Sequence, residues 1–292
     1  MGNQIITPAI FAKEVVRNRD IKNVFLAHTN RDFEGEIKNA WDTVRVQTLP
    51  TLTFTATSIT GAWDVANGDV GTWPGASITA TDFTITLENL VIDKYAPLLV
   101  RLTKHQITQS NLSLEEKVAE RFAEAEARLF DTAVRDQILV TQLANIPVWN
   151  KINSGSPVTL TKTNVFEEIE KMRVALAVEN VTDNLCLFVS PSAQSLLLQS
   201  NLLDNSDKGL TIREKGYLGM ISGVKVYVTN ALTASKEMIM MAEGAVNMVV
   251  QLNDYDLVKG TDGFFYNLMA EIVYGIKIFG ENAKAISINY VA

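Results

Sequence analysis

Apolar and polar positions along the chain fall into three textures. Near the N-terminus, Thr7-Pro8 followed by Ile10, Phe11, Val15 and Val16 predicts a short helix, with Pro8 at its first position and apolar residues at helical spacing. From Asp42 to Ile92 threonine is abundant. Apolar residues there alternate with polar ones in Val44/Val46, Leu52/Phe54/Ala56 and Phe83/Ile85/Leu87, which predicts strands with one buried face. Between those runs lies a glycine-rich loop, Gly61 to Gly75, that carries Trp63 and Trp73. A long loop bearing two tryptophans is expected to touch a partner.

Ser113-Leu-Glu-Glu116 is a capping box, in which a serine oxygen and a glutamate three residues later satisfy free backbone N–H groups at a helix start. The predicted helix runs from Leu114 to about Leu143. Its apolar stripe passes through Val118, Phe122, Ala125, Leu129, Ala133 and Ile138, with Glu124–Arg128 and Asp131–Arg135 bracing the wet side. At 1.5 Å per residue it would be ~45 Å long, a strut rather than an ordinary domain helix. After the turn-rich stretch at Asn153-Ser-Gly-Ser-Pro157 an α/β pattern follows. It comprises a helix over Thr163–Glu179 with Val165, Ile169, Met172 and Leu176 on one face, and a buried strand Leu185–Val189. Ser190-Pro191 caps a helix over Ser192–Leu203. Then come strands at Val224–Thr229 and Met238–Met241, a short helix at Glu243–Gln251, and closing strands near Phe264–Phe279 and Ala285–Val291.

With 292 residues, 47% of them hydrophobic and 20% charged, the chain is globular and long enough for one large or two modest domains. The longest uncharged stretches, such as Ala144–Asn150, stop well short of the ~20 apolar residues of a membrane span. The N-terminus lacks a secretory pattern, so no membrane partner is expected. A formal charge of −7 argues against a protein whose main task is to grip nucleic acid, although Met1–Arg31 alone, with five basic residues against two acidic, is +3. Cys186 is the single cysteine and reads as a buried small hydrophobe.

Candidate chemistry is sparse. His28 and His105 have no second histidine or acidic cluster beside them in sequence, and each is expected to be a surface or loop residue. Gly216-Tyr-Leu-Gly219-Met-Ile-Ser-Gly223 lacks the order and the lysine of a phosphate loop, so its glycines are expected to supply turns into the strand at Val224. Asp32, Glu34 and Glu36 form an acidic group that solvation explains. No catalytic, cofactor-binding or metal residues are assigned, and an enzyme is not expected.

Asn30-Arg-Asp-Phe-Glu-Gly-Glu-Ile37 leads to Asp42-Thr-Val-Arg-Val46, and Gln109-Ser110 stands before the long helix. Leu187-Phe-Val-Ser-Pro191, Gly219-Met-Ile-Ser-Gly-Val-Lys-Val-Tyr-Val-Thr-Asn230 and Tyr274-Gly-Ile-Lys277 follow. In this order the segments resemble the tailed-phage major capsid protein family, in the branch like the coat proteins of short-tailed enteric phages. Ala40-Trp41 departs from the glycine usual before the Asp-Thr-Val strand.

The resemblance implies an α+β fold of the Hong Kong phage type. Its parts would be an N-terminal arm (1–29), an extended loop with flanking strands (30–93), a peripheral domain with a spine helix (94–181), an axial domain (182–252) and return strands (253–292). It implies hexamers and pentamers of an icosahedral head, assembled in the host cytoplasm around double-stranded DNA that is a non-specific neighbour. A portal protein, a separate scaffolding protein and an optional outer decoration protein would be partners. The scaffold is expected to be separate because the fold-bearing sequence begins within a dozen residues of Met1. Some members of this fold weld subunits by an isopeptide bond from a lysine on the extended loop. Here Lys38 and Lys94 flank that loop and none lies from Asn39 to Asp93, so a non-covalent shell is expected. Two alternatives stay open: an encapsulin-type shell protein, and an α/β enzyme with a cofactor near Gly219.

Overall fold

A computed structural model describes residues 15, 17–18, 23–35, 43–48, 86–103, 114–200, 217–232, 237–259 and 265–292. The chain divides into two units, Arg45–Asn89 and the remainder. In the first, strands β1 (Thr43–Thr48) and β2 (Thr86–Val91) pair as a two-stranded sheet. The alternation expected around Leu87 does not bury it. Leu87 is 58% exposed and Leu90 is the buried residue of β2. Leu52, Phe54, Phe83, Trp63, Trp73, the Pro8 helix start, Ser113 and His105 lie outside the described residues. Val15, Arg17 and Asn18 are helical, as the N-terminal pattern predicts.

The larger unit holds two sheets. The first is antiparallel, with β10 (Phe265–Lys277) between β3 (Lys94–Thr103) and β9 (Asn247–Lys259). Its register runs from Phe265 opposite Thr103 to Tyr274 opposite Lys94, and a bulge on the β9 side falls between Val273 and Tyr274. The predicted helix over Glu243–Gln251 is thus wrong. Glu243-Gly244 forms a turn, with Gly244 at φ +82°, and β9 begins at Asn247. The apolar run Ala245–Val250 fits either period, and pairing with β10 along the whole length of β9 decides it.

The long helix α1 (Leu114–Asp136) continues into a wider turn of π type over Gln137–Thr141, so the helical run ends two residues short of Leu143. Its 23 α-helical residues span ~35 Å. The buried face is rotated from the predicted stripe: Ala119, Ala123, Ala127, Phe130 and Val134 are buried with Phe122 and Ile138, whereas Ala125 is exposed. Alanines are spread around this helix, so the sequence does not mark one face, and fitting Phe122 and Phe130 against β10 sets the rotation. Ala119, Phe122 and Ala123 cluster with Leu268 and Ala270, and Phe130 meets Tyr274 edge to face with centroids 5.5 Å apart. The expected Asp131–Arg135 pair does not form. Arg135 donates to Asp136 and to the Ala231 carbonyl at 2.9 Å, and Asp131 is turned inward. Glu124 takes Arg121, at 2.9 Å.

The second sheet has the order β4 (Lys151–Ile152), β11 (Ile286–Tyr290), β8 (Glu237–Ala242), β5 (Leu185–Val189), β7 (Val224–Val228), β6 (Tyr217–Ile221). Its central strand β5 is apolar at every position because both of its faces are covered. Leu185, Leu187, Val189, Met238 and Met240 face α2 (Val165–Val178) and α3 (Pro191–Gln199), while Cys186, Phe188, Ile239 and Met241 face the core that also receives Phe130 and Ile278. On α2 the predicted face is buried in full: Val165, Ile169, Met172 and Leu176 are each 0% exposed. Ser190 caps α3 by accepting from the Ala193 amide, with Pro191 at the first helical position.

One buried polar network ties α2 to this sheet. Glu168 accepts from Asn153 at 2.7 Å, Lys171 at 2.8 Å and Asn289 at 3.0 Å. Burial works to raise its carboxyl, and these three donors outweigh burial, holding it below the ordinary range.

Candidate assembly interface

Apolar groups left in solvent mark surfaces that contact other molecules, so the exposed apolar residues are the first candidates for function. Alternation divides the β3–β10–β9 sheet into two faces. One face lies on α1. The other carries Tyr95 (59% exposed) and Leu99 (61%) on β3, Met269 (37%) on β10 and Val258 (41%) on β9. The register places Leu99 directly opposite Met269 and Val258 opposite Asn267. Polar groups frame the patch: the Tyr95 hydroxyl donates to Glu271 at 3.2 Å, and the Arg101 guanidinium lies 3.5 Å above the Phe265 ring. An apolar centre with a tyrosine and a stacked arginine at its rim is the composition of protein–protein contacts.

A second patch lies where the segment after the long helix meets α2. Val148 is 75% exposed, Trp149 58% and Val178 69%. The Trp149 indole N–H donates to Glu179 Oε1 at 2.7 Å, which fixes the ring while leaving most of it in solvent. Sequence reading missed both patches. Trp149 follows Pro147-Val148 in the stretch Ala144–Asn150, read only as uncharged, and Tyr95, Pro97 and Leu99 make the outward face of β3 nearly as apolar as its inward one.

The residues singled out for chemistry fall differently from expectation. His28 is buried, not a surface residue: its ring packs against Tyr227 with centroids 4.3 Å apart and against Phe188, with Nδ1 3.6 Å from Cys186 Sγ and 3.5 Å from Glu243 Oε1. A histidine next to a small polar run reads as exposed, and only long-range packing brings these rings together. Cys186 is buried as expected, and burial, with the nearby Glu243, pushes its thiol up to about 11. The glycine-rich stretch makes a hairpin. Ser222 (φ 50°) and Gly223 (φ 83°) form a two-residue turn between β6 and β7, which requires positive φ at both positions. Glu34 and Glu36 have no described side chain. Among the described residues no group of three ligating side chains converges on a metal position, and no helix is long and apolar enough to cross a membrane.

Two open apolar surfaces on a mixed α+β scaffold are the mark of a protein that acts by contact. Comparison with known proteins agrees. Solved structures with the same fold include one of Mycobacterium phage Che8 (TM-score 0.67, 19% identity, covering 92% of this chain and 91% of that one). The capsid of cyanophage P-SCSP1u gives 0.66 at 14% identity, covering 93% and 89%. A virus-like particle from Pyrococcus furiosus gives 0.59 at 14% identity, covering 98% and 100%. No curated protein sequence gives a significant match. The family described as phage capsid protein matches residues 86–286, more than half of the chain, so the chain belongs to that family. It is a structural major capsid protein with the Hong Kong phage-type α+β fold, and its place is the virion shell.

Proposed function

We propose that this chain builds the icosahedral head of a tailed phage by self-association into hexamers and pentamers, and that it catalyses no reaction. The observation that carries this reading is the family match over residues 86–286 together with the exposed apolar face of the β3–β10–β9 sheet. In such a shell residues 1–29 serve as an arm, 30–93 as a loop overlapping a neighbour through Trp63 and Trp73, 94–181 and 253–292 as the peripheral domain with α1 as spine, and 182–252 as the axial domain. Assembly takes place in the host cytoplasm with a separate scaffolding protein and a portal. DNA is a non-specific neighbour, and an outer decoration protein is an optional addition. The motifs around Asn30–Ile37 and Gly219–Asn230 favour the branch of short-tailed enteric phage coats. The fold is shared with the virus-like particle, so fold alone does not separate a phage coat from an encapsulin-type shell, and the family match favours the coat.

The sheet face gives the test. Leu99→Glu combined with Met269→Lys places opposite charges at two directly opposed exposed positions, where the two charges can pair and the folded subunit loses little. The variant should melt within ~1 kcal/mol of wild type and yield no particles by electron microscopy. Normal particles from it would overturn the role of this face.

The shell is held without covalent links between subunits. No lysine lies from Asn39 to Asp93, and Lys94 is an exposed residue paired with Asp93 at 3.4 Å. Particles boiled in detergent should therefore release a band near the 32.2 kDa monomer. Ladders that survive boiling would contradict this.

A further inference from the structure

The outer side of α2 departs from what a surface helix ordinarily shows. Its inward face is filled by Val165, Ile169, Met172 and Leu176, and a helix packed on one side is expected to be polar on the other. Instead Val174, 55% exposed, and Val178 stand in solvent one turn apart. From Met172 to Val178 the only polar side chain is that of Arg173, so this half of the helix is apolar nearly all round. Valine is also a poor helix former, because its branched Cβ loses rotamer freedom against the preceding turn. Two valines kept at exposed helical positions against propensity mark a surface that something covers.

Trp149, in the tight turn Val148–Asn150, extends this surface. Its bond to Glu179 lies at the C-terminal end of α2, where a carboxylate opposes the peptide dipoles, and there the carboxylate serves to lock the ring. A ring locked before contact loses little freedom on binding, which suits an anchor residue.

Charge and size limit what the occupant is. Each charge on α2 is matched within the helix: Glu167 and Glu168 share Lys171, and Glu170 holds Arg173. The helix therefore offers no spare cation to a phosphate backbone and no spare carboxylate to a basic peptide. Val148, Trp149, Val174 and Val178 together expose roughly 450 Å², about half of the ~800 Å² that each partner brings to a stable pair. So small an area holds a free protein only weakly. A copy of the same chain, kept close by its other contacts in a shell, is held well by the same area.

We propose that the Val148–Asn150 turn and the outer side of α2 form a docking surface for a second copy of this chain, closed only within the assembled shell. This rests on the reading of the chain as a shell subunit, and it adds a second contact to that of the open sheet face. In the lone subunit the surface stays open. In the particle Trp149 is covered by the neighbour.

A benzophenone amino acid in place of Val148, carried by a minority of the full-length chains in mixed particles, tests the occupant. Irradiated particles should give a cross-linked species at twice the monomer mass, and irradiated unassembled subunits should give none. Val174→Lys combined with Val178→Lys tests whether the contact is needed. Lysine is a better helix former than valine and suits the last turns of a helix, so this variant should melt at or above the wild-type temperature. Its yield of particles should fall at least tenfold. Cross-links from intact particles to a different protein, or none at all, would overturn the proposal, and so would a folded lysine variant that assembles as the wild type does. In each of those cases particles form and the shell reading stands. That reading fails separately if the unsubstituted chain forms no particles, and the docking surface falls with it.

Discussion

Gly275→Ala will cost the subunit on the order of 3 kcal/mol, although it adds one methyl group. Gly275 lies on β10 where the chain leaving β2 crosses it. A Cβ there would stand 2.5 Å from the Val91 carbonyl oxygen and 3.1 Å from Ile92 Cα. Both obstacles are backbone, so no side chain can rotate away, and the strand or the crossing chain must move. The cost is steric rather than conformational. Gly155→Ala is the matched control, because nothing lies within 4 Å of a Cβ at that position. Thermal melts should show Gly275→Ala lower by on the order of 10 °C and Gly155→Ala close to wild type. A Gly275→Ala variant that melts with the wild type would mean that the 91–92 segment does not cross β10 at this distance.

Phe188→Ala should remove ~3–5 kcal/mol, the loss expected for truncating a fully buried aromatic ring. Phe188 is 0% exposed and sits among three rings, stacked on Phe25 at 4.3 Å and Tyr227 at 5.7 Å and meeting His28 edge-on at 5.6 Å. Removing it leaves a void where the N-terminal segment, β5 and β7 converge. Chemical denaturation should show a lower midpoint at unchanged slope, the sign of lost packing in an otherwise intact fold. Phe188→Leu, which fills part of the void, should lose about half as much. A loss under ~1 kcal/mol for the alanine variant would show that the ring cluster is not a core.

What the sequence made legible follows from how local each signal is. The α2 face, the fully apolar strand Leu185–Val189 and the Ser190-Pro191 cap are set by neighbours within one or two turns of chain, and the structure places them as read. The errors share the opposite cause. Ala245–Val250 is strand because β10 runs beside it, α1 is rotated because Phe122 and Phe130 fit against β10, and His28 is buried because Tyr227 and Phe188 close over it. None of these determinants lies within fifteen residues of what it decides. The family resemblance reached further than periodicity, since order and spacing of motifs carry tertiary information that a single window does not. The assembly patches were illegible for another reason. Leu99 and Trp149 are ordinary core residues in composition, and only their exposure marks them as surfaces.

The lone thiol makes the chain a blank slate for covalent probes. Cys186 is wholly enclosed, and its raised pKa leaves almost none of it as thiolate near neutral pH, so maleimides and iodoacetamides will pass it by. A second cysteine introduced at Val148, beside the exposed indole of Trp149, would then be the one site that labels. A dye or spin label there could follow two subunits meeting, in real time, with the native sulfur left in place.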